Sequence, residues 1–181
     1  KACDRLVDNT RKIIPIAEDV VVMLCPETTQ FTIVHNIATM MEYVDRLESP
    51  YGKIIFDFVN HLDAERVYQS GRFIRCAVAA LGDRIGEFHV KDVKVDPEKL
   101  LVVHIDEASM GTGLLDHETL IRVSDQLEPW KTFSLEHISD RAQIKKAHDH
   151  IQSVADRIGH KWTDPAMTRA RWEKENKQGK R

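Results

Sequence analysis

Short apolar runs alternate with longer stretches of helical period along this chain, and few folds accommodate that order. Val20–Cys25, Lys53–Phe58, Ile85–Val90 and Lys131–Leu135 read as strands. The first is continuous and β-branched, as expected of a strand buried on both faces. Helical period covers residues 2–14, where Pro15 bends or ends the helix, and residues 35–48. It returns over 63–81, where Gly71 is a candidate break, and over 117–127, ended by Glu128-Pro129. Asp140 with Gln143 has the pattern of a capping box, and the helix it opens stops at Gly159. Strands alternating with helices at this spacing predict βαβ units and a parallel sheet. Right-handed crossovers then bring every strand C-terminus to one face, where the active sites of α/β barrels and open sheets lie.

Each of the four runs stops at or near a residue that can bind a metal: Glu27, Asp57, His89 and Glu136. Taken singly, each also has a structural reading. Glu27 and Glu136 suit the first turn of a following helix, Asp57 a buried ion pair, and His89 a satisfied core position. Four such residues at the same place in successive βα units point instead to a shared site. Hard oxygen ligands with one imidazole suit a divalent cation, and the set permits Mn, Mg, Co or Zn.

With 181 residues and 42% apolar content the chain can bury the core of one domain. A net charge of −3 with interspersed signs gives no general attraction to phosphate backbones, so no nucleic-acid partner is expected. Cys3, Cys25 and Cys76 are widely spaced and form no CxxC pair, which predicts reduced thiols in a cytoplasmic setting. No apolar run approaches the ~20 residues that span a bilayer, and no signal peptide is visible. Residues 93–116 look irregular, with a short apolar stretch (Leu100–Ile105) and a Gly-x-Gly turn at Gly111–Gly113; loops of this length are usually functional or disordered. Residues 161–181 are polar and charged apart from Trp162 and Trp172, and read as a tail packing loosely on the body or on a partner.

Several stretches together resemble the xylose isomerase-like TIM barrels, a family of sugar and sugar-phosphate isomerases and epimerases with inosose dehydratase and endonuclease IV among its members. They are Ala17-Glu18 followed by a run ending at Glu27, Phe56-Asp57-x-x-Asn60, His89-Val90-Lys91-Asp92, Gly111-Thr112-Gly113 and Ser134-Leu135-Glu136. The resemblance runs from about residue 2 to 160. It implies that Glu27, Asp57, His89 and Glu136 hold one divalent metal, and that Glu27 and Glu136 remove and return a proton beside a sugar or polyol carbonyl through an enediolate. Asn60, His61 and Lys91 become candidates for substrate binding, with His104 and His137 as further ones, and Asp92 a supporting residue behind His89. An inosose dehydratase-type lyase, an endonuclease IV-like metal hydrolase and a non-catalytic interaction module are the alternatives.

Two departures bear on the chemistry. Endonuclease IV relatives need further metal ligands before the glycine turn and after the strand aspartate. Here those places hold Glu107-Ala108-Ser109-Met110 and Asn60, against a trinuclear nuclease. Four strands also match only the last four of an eight-stranded barrel. Residues 1–160 are therefore expected to form a C-terminal half-barrel. An N-terminal half upstream, a second copy or another polypeptide would complete it.

Overall fold

A computed structural model describes residues 1–99, 103–128, 131–138 and 140–177. Helix α1 spans Ala2–Val20 and α2 Ile37–Leu47; β1 is Ile54–Asp57, α3 Ser70–Leu81 and β2 Ile85–Val90. A hairpin follows, β3 (Asp92–Val95) with β4 (Ile105–Ala108), then α4 (His117–Ser124), β5 (Thr132–Leu135), α5 (Arg141–Ile158) and α6 (Pro165–Lys177). β1, β2 and β5 form a parallel sheet in that order. Alongside β1 the chain adds two parallel bridges, Leu24 to Gly52 and Glu27 to Ile55. Four parallel segments with helices on their outer face make a partial barrel, as the alternation predicts.

The outer face of the sheet is aromatic and dry. Phe56, Phe58 and Phe88 are fully buried, with the Phe58 and Phe88 rings stacked at 5.9 Å. They pack against Ile74, Leu81, Leu120 and Ile121 from α3 and α4 in one continuous core. Burying a side chain of this size contributes ~1.5–3 kcal/mol. Local signals set the helix ends. Asn36 and Thr39 close a capping box on α2, Asp140 accepts from Gln143 N at 2.8 Å on α5, and Gly159 ends α5 in the left-handed region.

Four expectations change. Pro15 does not end α1, which runs on to Val20 because a proline forfeits one helical N–H without forcing the chain out. The expected strand Val20–Cys25 shrinks to bridges, with Val20 and Val22 largely exposed. This segment is an edge of the sheet: β1 lies on one side of it, and among the described residues no strand covers the other. The stretch 93–116 is not irregular throughout. Asp92–Val95 and Ile105–Ala108 pair antiparallel, whereas Leu100–Val102 lie outside the described residues, as does Pro129. Finally, the tail is helical rather than loosely packed: Trp172 of α6 is buried beside Ala17 and meets Tyr51 edge-on at 5.1 Å. The break near Gly71 falls just before it, where a 3-10 turn (Arg66–Gln69) leads into α3.

A cavity of about 750 Å³ opens between the two edges of the sheet, lined by Val21–Met23 on one side and Thr132, Phe133 and Leu135 on the other. Trp162 and Trp172 also line it.

Candidate metal centre

The register carries the ligands to one place. Asp57 and His89 are direct neighbours at the ends of β1 and β2. Val90 pairs with Leu135, and its carbonyl accepts from Glu136 N at 3.2 Å, which sets Glu136 just past the end of β5. The bridge to Ile55 does the same for Glu27. Ligand atoms of Glu27, Asp57, His89 and Glu136 all lie within 4.8 Å of one another. Two oxygens on opposite sides of one divalent ion stand roughly 4–5 Å apart, so this is the span of a single ion.

The polar atoms also fit a cation. Asp57 is fully buried, and its Oδ2 and the Nδ1 of His89 have no well-directed hydrogen bond. Charged neighbours stand close but off axis: Lys91 Nζ is 2.7 Å from Asp57 Oδ2, and Glu136 Oε1 is 2.9 Å from His89 Nδ1. Lys91 offsets only part of the carboxylate charge gathered here, and a further cation would complete it. Asp57 and His89 line the floor, and the glutamates are more open, with 35% of the Glu27 side chain and 22% of Glu136 exposed. Cys25 stays out of the ligand set: its Sγ lies against Gly86 at the start of β2, away from the strand ends that carry the quartet.

Lys91, 5% exposed, sits among these carboxylates. Its Nζ is 2.7 Å from Asp57, 3.1 Å from Glu136 and 3.7 Å from Glu107. Burial opposes its charge, but Asp57 and Glu136 outweigh that and raise its pKa. Burial likewise pushes the Asp57 carboxyl up, against the pull of Lys91 and the Val59 and Asn60 amides. We take the pair as ionised, since three acids surround one ammonium. Asn60 donates to Glu27 Oε1 at 2.7 Å and so holds that carboxylate in place.

Three candidates stand elsewhere. His61 is turned inward: its Nε2 meets Thr28 Oγ1 at 3.0 Å, its ring stacks on Phe56, and burial lowers its pKa. It supports the wall rather than reaching substrate space. His104 is exposed before β4, and among the described residues no contact ties it to the quartet. Asp92 does not back His89. Its Oδ1 accepts from Val93 N and Leu115 N, and its Oδ2 from Gly111 N and Gly113 N, at 2.8–3.1 Å. The spacing of His-x-x-Asp and Gly-x-Gly thus has a structural cause: one carboxylate folds the glycine turn. A side chain at Gly113 would strike that carboxylate.

Sequence reading missed Glu107. It arrives on β4, approaches Lys91 and bonds His137 Nδ1, while His137 Nε2 lies 3.8 Å from Glu136. His137 takes a left-handed backbone (φ 55°), which non-glycine residues seldom adopt. Ile105-Asp106-Glu107-Ala108 has no alternating period, so no local pattern marked it as a strand.

The comparisons agree with this fold. Solved structures similar in fold include a xylose isomerase domain protein from Planctomyces limnophilus (TM-score 0.66, 19% identity, 86% of this chain and 53% of that one). A xylose isomerase-like TIM barrel protein from Mycobacterium smegmatis, in complex with magnesium, aligns at TM-score 0.68 and 14% identity over 84% of this chain and 50% of its own. D-psicose 3-epimerase with D-fructose aligns at 0.60 and 15%, over 84% and 55%. The chain spans about half the length of these structures. No curated protein matches the sequence. The model of the xylose isomerase-like TIM barrel family matches residues 1–155, and the chain belongs to that family.

Proposed function

We propose that this protein is a metal-dependent isomerase or epimerase of sugars or polyols, working by proton transfer next to a carbonyl. The observation that carries the reading is the quartet itself: four ligand atoms within 4.8 Å, with the two glutamates at the open side and the aspartate closed off. A bound divalent ion would polarise a carbonyl oxygen and acidify the neighbouring C–H. Glu27, Asp57, His89 and Glu136 would hold it.

The chain's own groups supply the rest. Glu27 and Glu136 come from the first and last of the four parallel segments, so they flank whatever lies between them. One takes the proton from carbon and the other returns it, through an enediolate. Asn60 fixes one oxygen of Glu27 at 2.7 Å, and the other accepts no hydrogen bond among the described residues. The Lys91 ammonium, held by Asp57 and Glu136, adds positive charge beside the place where an oxyanion would form. Glu107 and His137 at the mouth could assist loss of a hydroxyl, which keeps a dehydratase outcome as the second reading. Each sheet edge pairs on one side only among the described residues. That supports completion of the barrel by further βα units, from the same polypeptide or a partner, in the working protein.

Solvent-deuterium exchange into ketoses and inososes by the manganese-loaded protein tests the reaction. Glu136→Gln and Glu27→Gln should each lower exchange by about 10²–10⁴-fold with the fold intact by circular dichroism. Exchange retained in either variant removes that residue from the proton-transfer role.

A further inference from the structure

Phosphate esters are held in barrels by the loops after the last two strands, through glycine-rich amides and a helix N-terminus. In this chain those loops follow β2 and β5, and among the described residues the glycine turn and the starts of α4 and α5 each carry a carboxylate of the protein. Asp92 accepts from the amides of Gly111, Gly113 and Leu115 in the glycine turn. At the start of α4, Asp116 takes Thr119 N at 2.9 Å and Thr119 Oγ1 at 2.7 Å. At the start of α5, Asp140 takes Gln143 N at 2.8 Å. The positive ends of both helices and of the turn are thus neutralised from within.

The cations near the mouth are committed in the same way. Lys91 is bound by Asp57 and Glu136. Arg66, in the loop after β1, lies over the Phe73 ring at 5.1 Å and donates to the His61 carbonyl at 3.0 Å. Three carboxylates of the quartet would be balanced by a divalent ion and Lys91, and Glu107 stands at the opening as a further carboxylate, with His137 against it.

We infer that the site selects an uncharged ketose or polyol over a phosphate ester or an ionised acid, and that Glu107 is a residue setting that preference. This rests on the carbohydrate reading above and narrows it to a substrate class. A dianionic ester would have to displace Asp92, Asp116 or Asp140 from its amides, or approach Glu107 with like charge. A hydroxyl can instead donate to Glu107.

The test is calorimetric titration of the manganese-loaded protein, freed of excess metal, with matched probes: D-fructose against D-fructose 6-phosphate, and myo-inositol against its monophosphate. The neutral member of each pair should bind at least about tenfold more tightly. Glu107→Lys should narrow or reverse that ratio and Glu107→Gln should reduce it, with metal content unchanged. Equal or tighter binding of the esters by the unaltered protein overturns the inference. So does a ratio that neither variant moves, or no binding of any probe at millimolar concentration. Deuterium incorporation in the same samples separates the two readings. Neutral preference without exchange removes the proton-transfer reaction and keeps the charge preference. Exchange into the esters alone keeps the reaction and overturns the preference.

Discussion

Two buried lysines stand at opposite ends of the same sheet, and their environments differ in one respect. Lys91, past the C-terminal end of β2, has Asp57 and Glu136 within 3.1 Å, and its pKa is raised. Lys131, before the N-terminal end of β5, has a side chain only 3% exposed; it donates to the Ile85 carbonyl at 2.6 Å, and Asp83, 3.7 Å away, is itself open to solvent. Burial therefore dominates, and the Lys131 pKa falls to about 8. Equivalent burial of one residue type gives opposite shifts because the carboxylates converge at a single end. An excess of acids that survives even a buried ammonium is what a cation site looks like before its chemistry is considered.

Predictions that would break or sharpen this contrast run from large effects to small. Lys91→Met leaves Asp57 buried without its counter-charge, and should cost about 3–5 kcal/mol in the presence of a chelator. Added manganese should recover more of the melting temperature in this variant than in the parent, since the ion takes over the balancing charge. Equal recovery in both would mean that Lys91 and the metal do not share the same carboxylates.

Lys131→Met should act with the opposite sign. Its folded pKa lies below the ordinary lysine value of 10.5, so the unfolded chain binds more protons between the two. Parent stability then rises as pH climbs from about 8 to 10.5, and below that range the protein bears the full cost of the buried charge. The substitution should raise stability near pH 7 by at most about 3 kcal/mol. The gain should fade above pH 10, as read by chemical denaturation across pH. A raised pKa, as at Lys91, gives stability present below the unfolded value and lost only above it. A gain that did not fade with pH would assign the effect to packing.

Asp92→Asn should cost about 1.5–3 kcal/mol, because a charged acceptor of four backbone amides becomes a neutral one. Hydrogen exchange should quicken at Gly111 and Gly113 while metal content stays unchanged. Loss of metal would put Asp92 back behind His89. Asn60→Ala should be the mildest, weakening metal binding by roughly tenfold through a looser Glu27. An unchanged affinity would leave Asn60 free for substrate.

Much of the candidate site was legible in sequence, because β1, β2 and β5 are short apolar runs that end at or near their candidate ligands. Asp57, His89 and Glu136 follow from that pattern. The segment before Glu27 was misread as a doubly buried strand, since apolar content marks what could be covered and not whether a neighbour exists. Glu107 was hidden for a related reason. Its place depends on a hairpin whose strands are separated by nine residues rather than a tight turn, and long connections carry little local signal. His61 was misplaced because nearness to Asp57 in sequence does not fix direction: a 3-10 turn (Val59–His61) swings its ring away toward Thr28. Lys131, four residues into an unremarkable polar-apolar junction, showed nothing of its burial.

The central claim is that these four side chains form one divalent-metal site. Manganese titration followed by electron paramagnetic resonance, on the unaltered protein and on Asp57→Asn, tests it most directly. The account predicts one tightly held ion per chain, with affinity reduced at least about a hundredfold in the variant. No bound ion in the folded protein, or equal binding by Asp57→Asn, would contradict it.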